Sequence, residues 1–232
     1  MNFKGGNATH THVSIHGPNK DVLSAIHPDL SLVESAFLAG LLRNLPAITL
    51  LALPTTVSFD RMVDGVWSGG TYVCWGTDNR EAPVRLCNAF SPSSRNFEIK
   101  CHDGTANPYL ALAGFLSAGF EGIVEGKECK IKDCGLEIEL SAALLGDRGR
   151  EALGIKDRMP LSWEEARSKF EASDLIDKEF GKVFKTKYLN VNKVINSSPL
   201  FFCRDISKCY MAGIERTDDK WPSEKRRIEK MG

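Results

Sequence analysis

The stretch Ala106-Asn-Pro-Tyr-Leu-Ala-Leu-Ala-Gly-Phe-Leu-Ser-Ala-Gly-Phe120 constrains this chain more than any other. Its proline sits early, where a first helical turn needs no amide hydrogen, and the remaining residues are apolar nearly all round. A helix with no polar face has to be covered on every side, so a core helix is expected over 106–120. The chain has the means to build that core. Apolar residues make up 42% and charged residues 26% of 232, the proportions of a soluble globular protein.

A second periodicity leads the chain. In Asn7-Ala-Thr-His-Thr-His-Val-Ser-Ile-His16, strand-forming residues alternate with imidazoles. Side chains two apart on a strand share a face, which puts His10, His12, Ser14 and His16 on one side and Thr11, Val13 and Ile15 on the other. A row of imidazoles suits a metal–phosphate site, and a solvated edge strand would carry the same pattern with no function. Further strands are expected at 71–75, 80–86 and 95–102, the last with Glu98, Lys100 and His102 on one polar face. A short strand is expected at 133–140.

Helical spacing runs over 31–44, and Pro46 fits the first turn of a second, buried helix over 47–52. Ser162-Trp-Glu-Glu165 reads as a capping box opening a helix to about residue 172, and one amphipathic helix is expected over 174–194. The polar segment before Pro160 reads as a loop. After Asn196 periodicity is lost, and a charged, poorly ordered tail is expected over 196–232. These elements predict an α+β fold, a mainly antiparallel curved sheet packed by helices, in residues 1–195.

Thirty basic residues balance thirty acidic ones, so no global field draws in nucleic acid or a membrane surface. The longest apolar runs are short of a membrane span, and the N-terminus has no apolar signal core. Seven scattered cysteines read as reduced thiols that pack as small apolar groups, with the cytoplasm as the expected compartment. Charge-driven function therefore has to come from a local cluster.

Arg61, Arg80, Arg85, Arg95 and Lys100 form one such cluster in sequence. Guanidinium groups grip carboxylates and phosphates with paired hydrogen bonds, so these residues would matter if they converge and contribute little if scattered over the surface. Glu98 reads either as a metal ligand beside His10 or as a cross-strand ion-pair partner of an arginine. Trp67 and Trp75 read as packing residues.

Taken together, His10-Thr-His12, Phe37-Leu-Ala-Gly40-Leu-Leu, Leu45-Pro46-Ala47, Pro54-Thr55, Arg61, Trp75-Gly76, Asn79-Arg80, Arg85, Phe97-Glu98-Ile-Lys100 and Thr105-Ala-Asn-Pro-Tyr-Leu-Ala-Leu-Ala resemble the catalytic domain of type I glutamine synthetases. The similarity is nearer to the glutamine-synthetase-like proteins of fungi than to the bacterial enzymes. It implies an ATP-dependent carboxylate–amine ligase that joins glutamate and ammonia with Mg²⁺ or Mn²⁺. It also implies homo-oligomers whose sites use a neighbour's N-terminal domain.

Residue by residue, the resemblance makes His10 and Glu98 metal ligands. His12, Ser14, Arg80 and Arg85 become ATP-phosphate groups, with Arg80 also catalytic. Gly6, Arg61 and Lys100 become contacts to the amino-acid substrate, with Arg61 also catalytic. The match departs from the family in three places. The chain starts after the family's N-terminal β-grasp domain and upstream acidic metal ligands, as a truncated or mis-spliced product would. Gly65-Val-Trp-Ser-Gly-Gly70 lacks the family's flap glutamate, and Lys100 replaces a substrate arginine. Little or no activity is expected of the isolated chain. The alternative is a non-catalytic paralogue that binds nucleotide or amino acid in a regulatory role.

Overall fold

The computed structural model describes residues 8–17, 22–65, 69–135 and 141–197. The chain divides into two compact units, Met1–Asn190 and Val191–Gly232. All but the last turns of one helix described below belongs to the first unit.

The long helix α1 (Leu32–Ala52) opens at Ser31. The Ser31 hydroxyl accepts from the Glu34 amide, and the Glu34 carboxylate accepts from the Ser31 amide at 2.7 Å. This reciprocal cap satisfies two amides that the first turn would otherwise leave open. α1 continues through Pro46, where two helices were expected. An interior proline removes one backbone bond and costs about 3 kcal/mol. Leu45, Ile48, Leu50, Leu51 and Leu53 are all fully buried around it. Each is worth about 1.5–3 kcal/mol buried, so keeping the helix whole outweighs the proline. By length and composition α1 could also cross a membrane, a length that the apolar-run reading missed, but 72% of its apolar stretch is buried inside the fold.

The helix α2 (Pro108–Glu125) is capped by Asn107 and closed by Gly126 at φ +64°. It crosses α1 with the backbones in contact: a Cβ on Gly40 would stand 2.3 Å from the Ala118 carbonyl oxygen. The expectation that α2 is covered all round is corrected. Its buried face consists mainly of small residues and Phe115, whereas Tyr109, Phe120 and Val124 are more than 60% exposed on the other side. Small residues let two helices approach closely, and that contact uses only one face.

Four strands form one open sheet: β1 (Ala8–Val13), β2 (Trp75–Thr77), β3 (Val84–Cys87) and β4 (Asn96–Asp103), in the order β1-β4-β3-β2. The β1–β4 and β4–β3 pairs are antiparallel and β3–β2 is parallel, so the sheet is mainly antiparallel as expected. Phe97, Ile99, Val84 and Leu86 face the helices, with the Phe97 ring stacked 6.0 Å from Phe37 of α1. The strand expected at 71–75 is divided. Tyr72 bridges Arg158, and only Trp75 enters the sheet.

A short helix, α3 (Gly146–Ala152), occupies part of the expected loop, and α4 (Trp163–Glu171) starts at Ser162 as expected. The helix expected over 174–194 is two, α5 (Asp174–Glu179) and α6 (Lys182–Ser197). Gly181 adopts φ +82° between them, a conformation that ends a right-handed helix. The rings of Phe180, Phe184 and Tyr188 stack in sequence, and the Tyr188 hydroxyl donates to the Leu50 carbonyl at 3.0 Å. The described residues of the second unit are the end of α6. Trp67, residues 136–140 of the expected strand and residues 198–232 of the expected tail lie outside the described residues.

Candidate functional site

The β1–β4 register builds the site. Ala8 pairs with Asp103 and Thr9 with His102, but after an irregularity Thr11 pairs with Ile99 and His12 with Glu98. Continuing the first register would have set Ile99 opposite His12. An extra β4 residue at the bulge moves Glu98 there instead. On the far side, Arg85 of β3 is also opposite Glu98. His12, Glu98 and Arg85 thus form one row across three strands, on the sheet face away from Phe97 and Ile99.

The Glu98 carboxylate is 5% exposed and held from both sides. Its Oε1 lies 2.6 Å from His10 Nδ1 and 3.8 Å from His12 Nε2. Its Oε2 lies 2.6 Å from Arg85 Nε. That last contact is an ion pair outside hydrogen-bond geometry, since the buried Arg85 Nε has no hydrogen-bond partner. Cys87, two residues along β3, brings its thiol to 3.9 Å from Oε2. Asn96 orients His12. Its Oδ1 can only accept, so His12 Nδ1 donates across 2.8 Å, which turns Nε2 of the same ring toward Glu98.

Lys100 lies two residues beyond Glu98, only 3% exposed. Its ammonium donates to the carbonyls of Asn79 and Arg80, in the loop joining the parallel strands β2 and β3. Burial pushes its pKa down to about 8, with Glu98 acting in the opposite direction. Its observed contacts therefore clamp the loop that carries Arg80. His102 does not share the Glu98 face, as simple alternation predicted. The bulge turns it toward the helices, edge-on to Phe115 at 6.1 Å, and burial lowers its pKa.

The remaining candidates are placed as follows. Ser14 is exposed just past β1, and Arg80 is exposed in the β2–β3 loop. Arg61 ends a 3₁₀ turn (Thr56–Arg61), and its guanidinium lies 3.8 Å from where a Cβ on Gly69 would stand. Gly6 lies outside the described residues. Arg95 leaves the cationic set. It donates twice to Glu34 of α1, at 2.9 and 2.7 Å, in a buried pair.

His10, His12, Glu98, Arg85 and Lys100 therefore meet on one sheet face, with Arg80 joined to it through Lys100. The sequence reading missed Asn96 and Cys87. Both stand two positions from a chosen residue on the same strand, so the period-two rule would have found them. Among the described residues no group of three or more His, Cys, Asp or Glu side chains is arranged to hold a metal ion. His10 and Glu98 carry donor types that a divalent cation accepts, but here they contact each other directly at 2.6 Å.

Residues 1–196 match the family model described as the glutamine synthetase catalytic domain. The chain is 37% identical over 188 residues to protein fluG of Emericella nidulans, covering 81% of this chain and 19% of that protein. It is 33% identical over 180 residues to glutamine synthetase of Thermococcus kodakarensis, covering 78% of this chain and 39% of the enzyme. In structure it resembles a GmaS/ADP complex (conformation 1), with TM-score 0.61 and 25% identity, over 82% of this chain and 42% of that one. The chain thus spans less than half the length of each.

Proposed function

The chain belongs to the glutamine synthetase family, and from that premise we propose that its polar sheet face serves ATP-dependent ligation of an amine to a carboxylate. The observation that carries this reading is the row His12–Glu98–Arg85 with His10 2.6 Å from the same carboxylate. An acidic group flanked by imidazoles and a guanidinium can hold a cation on one side and a phosphate on the other.

In this reading His10 and Glu98 hold a Mg²⁺ or Mn²⁺ ion, which when bound supplies charge neutralisation at the phosphates. His12, Ser14, Arg80 and Arg85 bind the ATP phosphates. Arg85 gains a better partner than Glu98 when a phosphate oxygen takes the unused direction of its Nε–H. Arg61, together with Gly6, faces the amino acid, and Lys100 keeps the Arg80 loop in place. The reaction is phosphorylation of the glutamate side-chain carboxylate by ATP, followed by attack of ammonia or another amine on the acyl phosphate and release of phosphate. With two candidate ligands for the cation among the described residues, weak turnover is expected of the chain alone. The five free cysteines among the described residues support a reducing, cytoplasmic setting.

A second reading is a non-catalytic member that binds nucleotide or amino acid in a regulatory role. It is favoured by the absence of any glutamate between Arg61 and Gly70. Calorimetric titration with Mg·ATP and a coupled assay of glutamate- and ammonia-dependent ATP hydrolysis test both. Binding that weakens tenfold or more in Glu98→Gln, with measurable turnover, is expected for the ligase. Binding without turnover favours the regulatory reading, and wild-type affinity in the variant refutes the assigned site.

A further inference from the structure

The outer face of α2 carries a stripe that the described residues leave uncovered. Tyr109, Leu112, Leu116, Phe120 and Val124 recur every three or four residues and so share one side of the helix. Tyr109 is 82% exposed, and even the central Leu116 is 41% exposed. No charged residue lies between Pro108 and Phe120, and the two glutamates that follow, Glu121 and Glu125, are turned aside to Arg43 of α1. From these exposures the stripe presents on the order of 500 Å² of surface, near the largest apolar patch that a monomeric soluble protein leaves open. Beside its C-terminal half lies a groove of about 350 Å³. Leu116, Phe120 and Ile123 line it together with Ile15 and Phe37, and Glu179 is the one charged group among its described lining residues.

We propose that this face is a two-fold interface between two copies of the chain. The occupant follows from the order of the stripe, which reads nearly the same in both directions. Leu112 and Phe120 stand four residues either side of Leu116, and Tyr109 and Val124 stand seven and eight residues away. Two α2 helices packed antiparallel about Leu116 therefore set Leu116 on Leu116, Leu112 on Phe120 of the second copy, and Tyr109 on Val124 of the second copy. A two-fold axis requires this self-complementarity, because each copy offers the same patch. Tyr109 then arrives over the second copy's groove, which has room for its ring, and Glu179 there can accept a hydrogen bond from the hydroxyl. A tyrosine seated in an apolar pocket is a common anchor of an interface. Two stripes face to face bury about 1,000 Å², the floor for a specific association, so a dissociation constant in the micromolar range is expected. A charged partner surface fits worse, since the stripe holds no charge to answer it. α2 packs on the helix side of the sheet, so the Glu98 face stays open in the dimer.

The interface is independent of the ligase reading and is tested without activity. Sedimentation equilibrium and light scattering of the full chain over about 1–300 μM measure its mass. In the wild type the mass is expected to rise from one chain to two and to level there. Leu116→Glu sets two like charges together on the axis and holds the protein at one copy throughout. Tyr109→Ala, at a position too exposed to disturb the fold, weakens the dimer tenfold or more. Val183→Glu, 70% exposed on α6 and off the stripe, leaves the wild-type curve unchanged. Circular dichroism checks that each variant is folded, and Tyr109→Ala decides the matter if Leu116→Glu is not. A wild type that stays single at the highest concentration, or a mass that climbs past two, overturns the proposal. So does wild-type affinity in Tyr109→Ala or in folded Leu116→Glu. Val183→Glu weakened as much as those two also overturns it, because the association is then unspecific.

Discussion

Replacing Arg95 by Met tests how β4 is anchored, and with it the position of Glu98 three residues on. Arg95 donates Nε to Glu34 Oε1 at 2.9 Å and Nη2 to Oε2 at 2.7 Å, while Nη1 reaches the carbonyls of Asp29 and Ala89. Both side chains are more than nine-tenths buried. An exposed pair of this kind is worth at most about 1 kcal/mol. Here the methionine fills most of the arginine's space but leaves the Glu34 carboxylate buried, with only the Ser31 cap to satisfy it. Breaking a buried pair from one side costs about 3–5 kcal/mol. For a chain of this size that lowers Tm by about 6–20 °C. Adding Glu34→Gln removes the stranded charge and keeps an oxygen for Ser31, so the double variant should recover about 1 kcal/mol or more. Urea and thermal unfolding of the three proteins measure both terms. A loss under about 1 kcal/mol in Arg95→Met, or a double variant no better than the single, would refute the reasoning.

Pro46→Ala separates one continuous α1 from two helices. A proline at a first helical turn would make the change nearly neutral, whereas an interior proline makes alanine stabilising by about 1–3 kcal/mol in urea unfolding. Lys100 gives a pH signature. Its pKa falls from 10.5 to about 8 on folding, so between those values the unfolded chain binds more protons and stability rises with pH. The stability of wild type relative to Lys100→Met should therefore climb by about 2–3 kcal/mol from pH 8 to 10.5 and stay level below pH 8. A flat difference across that window would mean the amine is already solvated.

Much of the site was legible because strand alternation is local. The spacing of His10 and His12, and of Glu98 and Lys100, follows from the extended backbone wherever those strands lie. What alternation cannot supply is register. Only the β-bulge between Thr9 and Thr11 sets Glu98 rather than Ile99 opposite His12, and the same bulge sends His102 to the helix side. A one-residue shift exchanges the faces of a strand, and no short-range pattern in the sequence marks where an extra residue will be absorbed.

The same division applies to charge and to helices. Arginine side chains are long, and their partners depend on packing. Arg85 and Arg95 looked equivalent in the sequence. The fold gives the first to Glu98 and the second to a buried carboxylate on α1. Pro46 and Gly181 are both helix breakers by local rule, yet surrounding leucines hold α1 together at one, while the chain turns at the other. By itself, then, the sequence determined which residues can be helix, strand or polar face, because those preferences are properties of each residue and its near neighbours. Tertiary structure alone decided which carboxylate meets which cation, because that depends on register and burial across segments distant in the chain.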